Sequence, residues 1–244
     1  MGAYLSPDDP SQMPFRVTIL SWTQPILTSA ILVCAACAPA ITPAAPVTAT
    51  TDRPASDSLA AALLQDVREL DPSILVELRY ATSNNFTGEP LPGYERNRAY
   101  LRREAAAALV AVNRELSAAG VVLKVFDAYR PVRATNAMVA WAQRTARMDL
   151  FRDGYIASRS RHNLGVAVDL TLVDRASGEE LEMGTAYDTF TEAAHTANAS
   201  GEAAGNRQRL VQAMTRAGFV NYPREWWHFS YGAAEAPRFD MVIR

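Results

Sequence analysis

The chain has 244 residues, of which 49% are hydrophobic and 20% are charged, as is typical of a globular protein. This composition argues against disorder over most of the length and against several membrane spans. The 24 basic and 26 acidic residues give a formal net charge of -2. Because no basic surplus is available to bind phosphates, nucleic acid is not an expected partner.

The N-terminal region predicts export from the cytoplasm. Residues 17–38 carry no charge, and Pro25 interrupts a stretch that is otherwise long enough to span a bilayer. This pattern favours a signal peptide or a lipoprotein-type export segment over residues 1–38, and a lipidated Cys37 would attach the protein to the membrane. An uncleaved anchor helix and a buried apolar helix are the alternatives. We therefore expect a periplasmic or cell-envelope protein, with an Ala/Pro/Thr-rich linker over residues 39–58.

The remaining residues, 59–244, predict one folded domain. Hydrophobic periodicity and turn residues predict its elements in chain order: a strand at 74–80, a loop at 84–93, a helix at 102–119, a strand at 121–126, a helix at 132–147, a strand at 165–173, a helix at 202–217 and a strand at 226–231. Helices and strands do not alternate regularly, so we expect an α+β domain with a largely antiparallel sheet.

A first motif, Ser158–Asp169, contains His162 followed by a strand that alternates apolar and more polar positions. Asp169 lies on the more polar face of that strand. A carboxylate in an apolar strand is unfavourable unless it is paired or bound to a metal ion. The motif therefore predicts either a metal ligand or a salt bridge to an arginine.

A second motif, Arg-Glu-Trp-Trp-His-Phe at 224–229, places Glu225 three residues before His228. A carboxylate beside a metal-ligating histidine can take a proton from a water molecule and pass it to a leaving amine. The predicted strand would put Trp226, His228 and Ser230 on one face. An edge strand with aromatic side chains for packing is the alternative.

A third motif, Asp-Ala-Tyr-Arg-Pro at 127–131, follows a buried strand. The guanidinium of Arg130 is charged at every relevant pH and could stabilise a developing oxyanion. A purely structural arginine at a strand end is the alternative.

Together these motifs resemble the VanX-type D-alanyl-D-alanine dipeptidases, zinc peptidases of the hedgehog/DD-peptidase fold. The likeness extends in order from about Leu70 to Phe239. It includes Arg79–Thr82, Asn85–Gly88, Gly93–Glu95, Met183–Gly184 and Glu225–His228. The resemblance implies an α+β fold with a central, mostly antiparallel sheet and flanking helices.

The resemblance also implies a catalytic zinc site with one ion per chain. His162, Asp169 and His228 would be the three protein ligands, which leaves a fourth position for water. Glu225 would act first as general base and then as general acid, and Arg130 would stabilise the tetrahedral oxyanion.

Four further residues acquire substrate-binding roles from the same resemblance. Asp188 and Tyr80 would hold the free amino end of a dipeptide, Ser160 would lie near its carboxylate, and Asp127 would orient Arg130. His195 has no role in this hypothesis, which leaves it as a surface or outer-shell residue.

The resemblance therefore implies hydrolysis of D-alanyl-D-alanine to two D-alanines, in cell-wall peptide turnover or glycopeptide resistance. One alternative is a D,D-carboxypeptidase or endopeptidase acting on peptidoglycan stem peptides. The connection at 148–157, shorter than in the family, leaves that alternative open. Another is a zinc-bearing binding module without catalysis, which has no need of Glu225 or Arg130. The sequence does not indicate an oligomeric state.

Overall fold

The structure is a computed structural model that describes residues 53–232 and 236–244. The predicted export segment at 1–38 lies outside the described residues, as does most of the predicted linker. Within the described part of the chain, no helix is both long enough and apolar enough to cross a membrane.

Folded structure begins a few residues before the predicted domain boundary at Leu59. The backbone of Ala55 pairs with Phe239 in a β-bridge, and Ser56 caps a helix that starts at Asp57. The last four residues of the predicted linker therefore belong to the folded domain.

The described residues form six α-helices and seven β-strands. The helices are α1 (Asp57–Leu63), α2 (Val67–Leu70), α3 (Arg103–Ser117), α4 (Val132–Arg144), α5 (Asp149–Arg152) and α6 (Gly201–Arg216). The strands are β1 (Leu64–Asp66), β2 (Leu75–Val76), β3 (Tyr100–Arg102), β4 (Val121–Asp127), β5 (Ala167–Asp174), β6 (Phe219–Asn221) and β7 (His228–Tyr231). Short 3-10 helices occupy Arg79–Ala81, Arg161–Leu164 and Glu192–Ala194.

A five-stranded sheet forms the centre of the domain, in the order β2-β4-β5-β7-β6. Only the short β2 pairs in parallel, with β4, and the other three pairings are antiparallel. Helix α3 packs against β4, and α6 packs against β6 and β5. The predicted α+β class with a mostly antiparallel sheet is confirmed.

The three long helices follow the predicted ranges closely. In α3, Leu109, Val112 and Leu116 recur at helical spacing and are buried in the core. The chain leaves this helix through Gly120, whose φ of +76° lies in the left-handed region that favours glycine. Local periodicity was sufficient here because each helix buries one apolar face.

The central strand β5 departs from the amphipathic pattern that its sequence suggests. Both faces are covered, and every residue from Ala167 to Val173 is buried. Val168 and Leu170 belong to the hydrophobic core that includes residues of α3 and α6. On the opposite face Asp169 is only 3% exposed. Since burial of an unpaired carboxylate is costly, the partners of Asp169 identify the site.

Two predicted strands are wrong at one end. The strand expected at 74–80 is limited to β2, because the chain turns into a 3-10 helix at Arg79–Ala81. The strand expected at 226–231 begins at His228, because the preceding residues form a tight connection from β6. Trp226 therefore does not share a strand face with His228. The first departure places Tyr80 in the candidate site, and the second places Glu225 there.

Candidate metal centre and active site

Three neighbouring strands align the centre of the site. Asp127 on β4 is paired with Asp169 on β5, which is paired in turn with His228 on β7. Directly opposed residues in antiparallel strands project from the same face of a sheet. His162 joins this row from the 3-10 helix Arg161–Leu164, which the side chain of Ser160 caps. The sheet register therefore brings together residues from three separate motifs.

The side chains of His162, Asp169 and His228 offer three ligand atoms within 4.8 Å of one another. His162 Nε2 lies 3.2 Å from His228 Nδ1 and 3.4 Å from Asp169 Oδ1. Asp169 Oδ1 lies 2.8 Å from His228 Nδ1. Ligands bound tetrahedrally at zinc distances are separated by about 3.3 Å, so this donor set fits a zinc ion.

Outer contacts fix the orientation of two of these ligands. The Nδ1–H of His162 donates to the carbonyl oxygen of Ala128 at 2.6 Å, which leaves the Nε2 lone pair facing the cluster. The second carboxylate oxygen of Asp169, Oδ2, accepts from the hydroxyl of Tyr187 at 3.0 Å. The ligand atoms are therefore pre-oriented for a metal ion by groups that do not bind it.

The charges of the cluster suit a cation. Burial by itself would raise the pKa of Asp169, but the adjacent His162 and His228 reverse this effect and lower it. Burial lowers the pKa of His228, against the opposing effect of Asp169. Asp169 is therefore held as a carboxylate and His228 as a neutral imidazole, the protonation states in which both side chains bind metals.

Glu225 lies beside the ligands without belonging to the cluster. Its Oε2 is 3.9 Å from Nδ1 of His228, and the side chain is largely buried in the β6–β7 connection. Burial raises the pKa of Glu225 well above its ordinary value, and the nearby Asp169 and Asp188 raise it further. A carboxyl group with a raised pKa can both accept and return a proton near neutral pH.

Arg130 is held rigidly beside the same cluster. Its Nε and Nη2 donate to Oδ2 of the fully buried Asp127 at 2.9 and 2.7 Å. Oδ1 of Asp127 accepts from the hydroxyl of Tyr94 at 2.6 Å. Although burial opposes it, the neighbouring Asp127 raises the pKa of Arg130. The guanidinium is a fixed, permanently charged donor, as an oxyanion site requires.

A second acidic centre lies across the cavity. The hydroxyl of Tyr80 is 3.2 Å from both carboxylate oxygens of Asp188, and the Tyr80 ring lies under the Arg130 guanidinium at 5.0 Å. Burial raises the pKa of Asp188 well above its ordinary value, and Asp169 raises it further. A ligand cation would remove the cost of ionising this carboxyl group.

One cavity of about 260 Å³ contains both ends of the site. Its lining includes every predicted site residue except the buried Asp127: Tyr80, Arg130, Ser160, His162, Asp169, Asp188, Glu225 and His228. Phe86, Tyr155 and Phe190 form an aromatic wall. His195 does not line the cavity, but its Nε2 lies 3.2 Å from the Tyr155 hydroxyl.

Sequence reasoning gave no role to three residues that support the site. Tyr94 and Tyr187 contact Asp127 and Asp169 through their hydroxyl groups. The buried Arg207 donates to backbone carbonyls of the segment that carries Asp188. Tyr94 lies in the stretch Gly93–Glu95 that carries the family resemblance, and Tyr187 directly precedes the predicted site residue Asp188.

The family model described as D-ala-D-ala dipeptidase, Peptidase_M15, matches residues 60–241. The chain belongs to this peptidase family. It is 37% identical to the D-alanyl-D-alanine dipeptidase of Enterococcus faecium over 69% of this chain and 92% of that protein. It is 34% identical to the D-alanyl-D-alanine dipeptidase of Streptomyces coelicolor over 72% of this chain and 96% of that protein.

Among solved structures, the chain is similar to VanYB in complex with D-alanine-D-alanine. The sequence identity is 18% and the TM-score is 0.39, over 57% of this chain and 76% of that one. The predicted family resemblance is confirmed by the family model and the relatives, and the protein is a metallopeptidase.

Proposed function

We propose that this protein hydrolyses the dipeptide D-alanyl-D-alanine to two D-alanines, using one zinc ion per chain. The observation that carries the proposal is a single cavity with a His/Asp/His cluster and Glu225 at one end and Asp188 at the other. The relatives named D-alanyl-D-alanine dipeptidase support the choice of substrate.

In this proposal His162, Asp169 and His228 hold the zinc ion. When bound, zinc would lower the pKa of a water molecule and polarise a peptide carbonyl. Glu225 Oε2, beside the ligands, would take a proton from the attacking water. The same carboxyl group would then deliver that proton to the nitrogen of the departing D-alanine, so Glu225 ends the cycle as it began.

Arg130 would donate to the carbonyl oxygen as negative charge develops on it. Its two bonds to Asp127 fix the guanidinium before the substrate arrives, so no reorganisation is needed in the transition state. Loss of such a donor typically raises the barrier by about 3 kcal/mol.

Asp188 and Tyr80 would bind the free ammonium group, and Ser160 would lie toward the substrate carboxylate. An ammonium group would keep Asp188 ionised in its buried position, whereas an acylated nitrogen would leave that carboxylate unpaired. Selection for a free dipeptide over a longer stem peptide follows from this difference.

The deciding experiment measures amine release from D-alanyl-D-alanine and from its N-acetylated analogue, with zinc-loaded and metal-stripped protein. We expect cleavage of the free dipeptide alone and only with metal. Cleavage of the acetylated peptide would instead indicate a D,D-carboxypeptidase. No cleavage of either, with zinc still bound, would indicate a binding module.

We also propose that the protein acts in the periplasm or cell envelope, where it would recycle dipeptide released from the wall. The uncharged stretch at 17–38 supports this location. Cell fractionation tests it, and comparison with a Cys37→Ala variant tests lipid attachment. Recovery of full-length protein in the cytoplasm would overturn the location.

A further inference from the structure

A chain of side-chain oxygens joins the two ends of the cavity. The hydroxyl of Tyr187 lies 3.0 Å from Oδ2 of Asp169 and 3.0 Å from the hydroxyl of Tyr80. The hydroxyl of Tyr80 lies 3.2 Å from each carboxylate oxygen of Asp188. All these distances are short enough for a hydrogen bond or close to it. The chain thus runs from a candidate metal ligand to the proposed ammonium site.

The number of protons in this chain is smaller than the number of contacts. Three contacts link the four groups, but at a pH at which Asp188 is ionised only the two hydroxyls carry a proton, because ionised carboxylates are acceptors only. If Tyr187 donates to Asp169 while Tyr80 donates to Asp188, the contact between the two hydroxyls has no proton. If Tyr80 donates to Tyr187, then Asp188 lacks that donor.

An ammonium group at Asp188 changes which of the three contacts lacks a proton. It supplies a donor to the Asp188 carboxylate, so that Tyr80 is free to donate to Tyr187 and Tyr187 to Asp169. The two hydroxyl protons then occupy the Tyr80–Tyr187 and Tyr187–Asp169 contacts, and the ammonium group replaces Tyr80 as the donor to Asp188. Both hydroxyls point toward Asp169 in this arrangement, and Asp169 Oδ2 keeps its donor.

We infer that Tyr187 is a positioning residue that couples ammonium binding at Asp188 to the metal ligand Asp169. The inference rests on the proposed function only in assigning an ammonium group to Asp188. Reciprocity then requires that a ligand with an ammonium group tightens metal binding, and that bound metal tightens binding of that ligand.

The surroundings of Tyr187 make the coupling local and testable. Its ring packs against Phe126 at 4.9 Å and against Trp227 at 5.4 Å between ring centroids. These contacts hold the ring independently of its hydroxyl. Tyr187→Phe therefore removes one oxygen from the chain and keeps the packing.

The test measures zinc affinity in a Glu225→Gln background, which prevents hydrolysis. Two ligands are compared: D-alanyl-D-alanine and N-propionyl-D-alanine, which has the same backbone without the ammonium group. We expect the dipeptide to raise zinc affinity about fivefold or more beyond the effect of the propionyl compound. With Tyr187→Phe the two ligands should act within twofold of each other, and ligand-free zinc affinity should fall about tenfold.

Tyr129→Phe is the matched control, because Tyr129 is also buried and donates its hydroxyl to a backbone carbonyl, that of Met241. It should preserve the difference between the ligands. The coupling is overturned if that difference is absent before Tyr187 is changed, or if it survives Tyr187→Phe. Hydrolysis by the wild type with no coupling would reject this inference alone. Coupling without hydrolysis by the wild type would reject the proposed function alone.

Discussion

The cavity has two ends that are assembled differently. At the metal end, Asp169 and His228 lie opposite each other on paired strands, and the hydrogen-bond register of the sheet sets their separation. The other end holds Tyr80 and Asp188, where the substrate ammonium group is proposed to bind, and is called the ammonium end. Tyr80 comes from a 3-10 helix, and Asp188 comes from a segment without regular structure. The φ of Asp188 is +59°, a left-handed conformation that is uncommon for residues other than glycine.

The ammonium end therefore needs an anchor that the metal end does not. Arg207 on α6 supplies it by donating to the carbonyls of Met183, Ala193 and His195, before and after Asp188 in the chain. Arg207 is only 1% exposed, and its guanidinium donates to three backbone oxygens of this segment. Strand register positions one end of the cavity, and one buried side chain restrains the other.

The largest effect should come from removing the proton-transfer group at the metal end. For Glu225→Gln we expect kcat to fall by about 10²- to 10⁴-fold, because general acid–base catalysis contributes this much. Zinc content should be unchanged, because Glu225 is not in the ligand cluster. Steady-state kinetics and metal analysis check both results. Retention of activity with bound zinc would reject the assigned role.

A change at the ammonium end should affect substrate binding instead. For Asp188→Asn we expect KM for the free dipeptide to rise about 30-fold or more, as loss of a buried charge partner does. Zinc affinity without dipeptide should stay within about twofold, since Asp188 is not a ligand. Asp240→Asn, at an exposed pair with Arg133, is the control and should leave KM unchanged. An equal rise in KM for Asp188→Asn and Asp240→Asn would contradict the assignment of Asp188 to substrate binding.

Removal of the Arg207 hydrogen bonds should also affect substrate binding at the ammonium end more than zinc binding at the metal end. Arg207→Met leaves three carbonyls without their donor, so we expect the free energy of unfolding to fall by about 3 kcal/mol. KM should rise about tenfold through misplacement of Asp188, with little change in zinc affinity. Arg209→Met on the same helix is the matched control. A loss of zinc affinity as large as the rise in KM would show that Arg207 supports the whole domain.

The smallest effect concerns stability and pH in metal-free protein. Because burial raises the pKa of Glu225 above its ordinary 4.5, the folded protein keeps a proton that the unfolded chain loses. Glu225 should therefore lower the free energy of unfolding as pH rises above about 4.5, by at most about 1.4 kcal/mol per pH unit. The Glu225→Gln variant has no titrating group at this position, so its free energy of unfolding should not fall with pH for this reason. Denaturant unfolding should show that the free energy of unfolding of the variant, relative to that of the wild type, is greater at pH 7 than at pH 4. A difference between the two proteins that does not change with pH would exclude the raised pKa of Glu225.

Much of the metal end could be predicted from sequence, because the patterns that indicate it lie within single helices and strands. The periodic apolar residues of α3 indicated a helix, and a carboxylate inside the apolar β5 indicated an unusual partner. The connection before His228 was missed, since a turn that brings Glu225 back to the ligand looks like strand continuation in a run of aromatic residues.

The sequence by itself determined the family, the α+β class and the residue types able to bind a metal. Only the tertiary structure decided how those residues are supported. Tyr80 and Tyr187 are 107 residues apart and Arg207 lies 24 residues from Met183, yet each pair is joined by a hydrogen bond. Periodicity and spacing report on neighbours along one element, whereas these contacts exist only after separate elements have packed together.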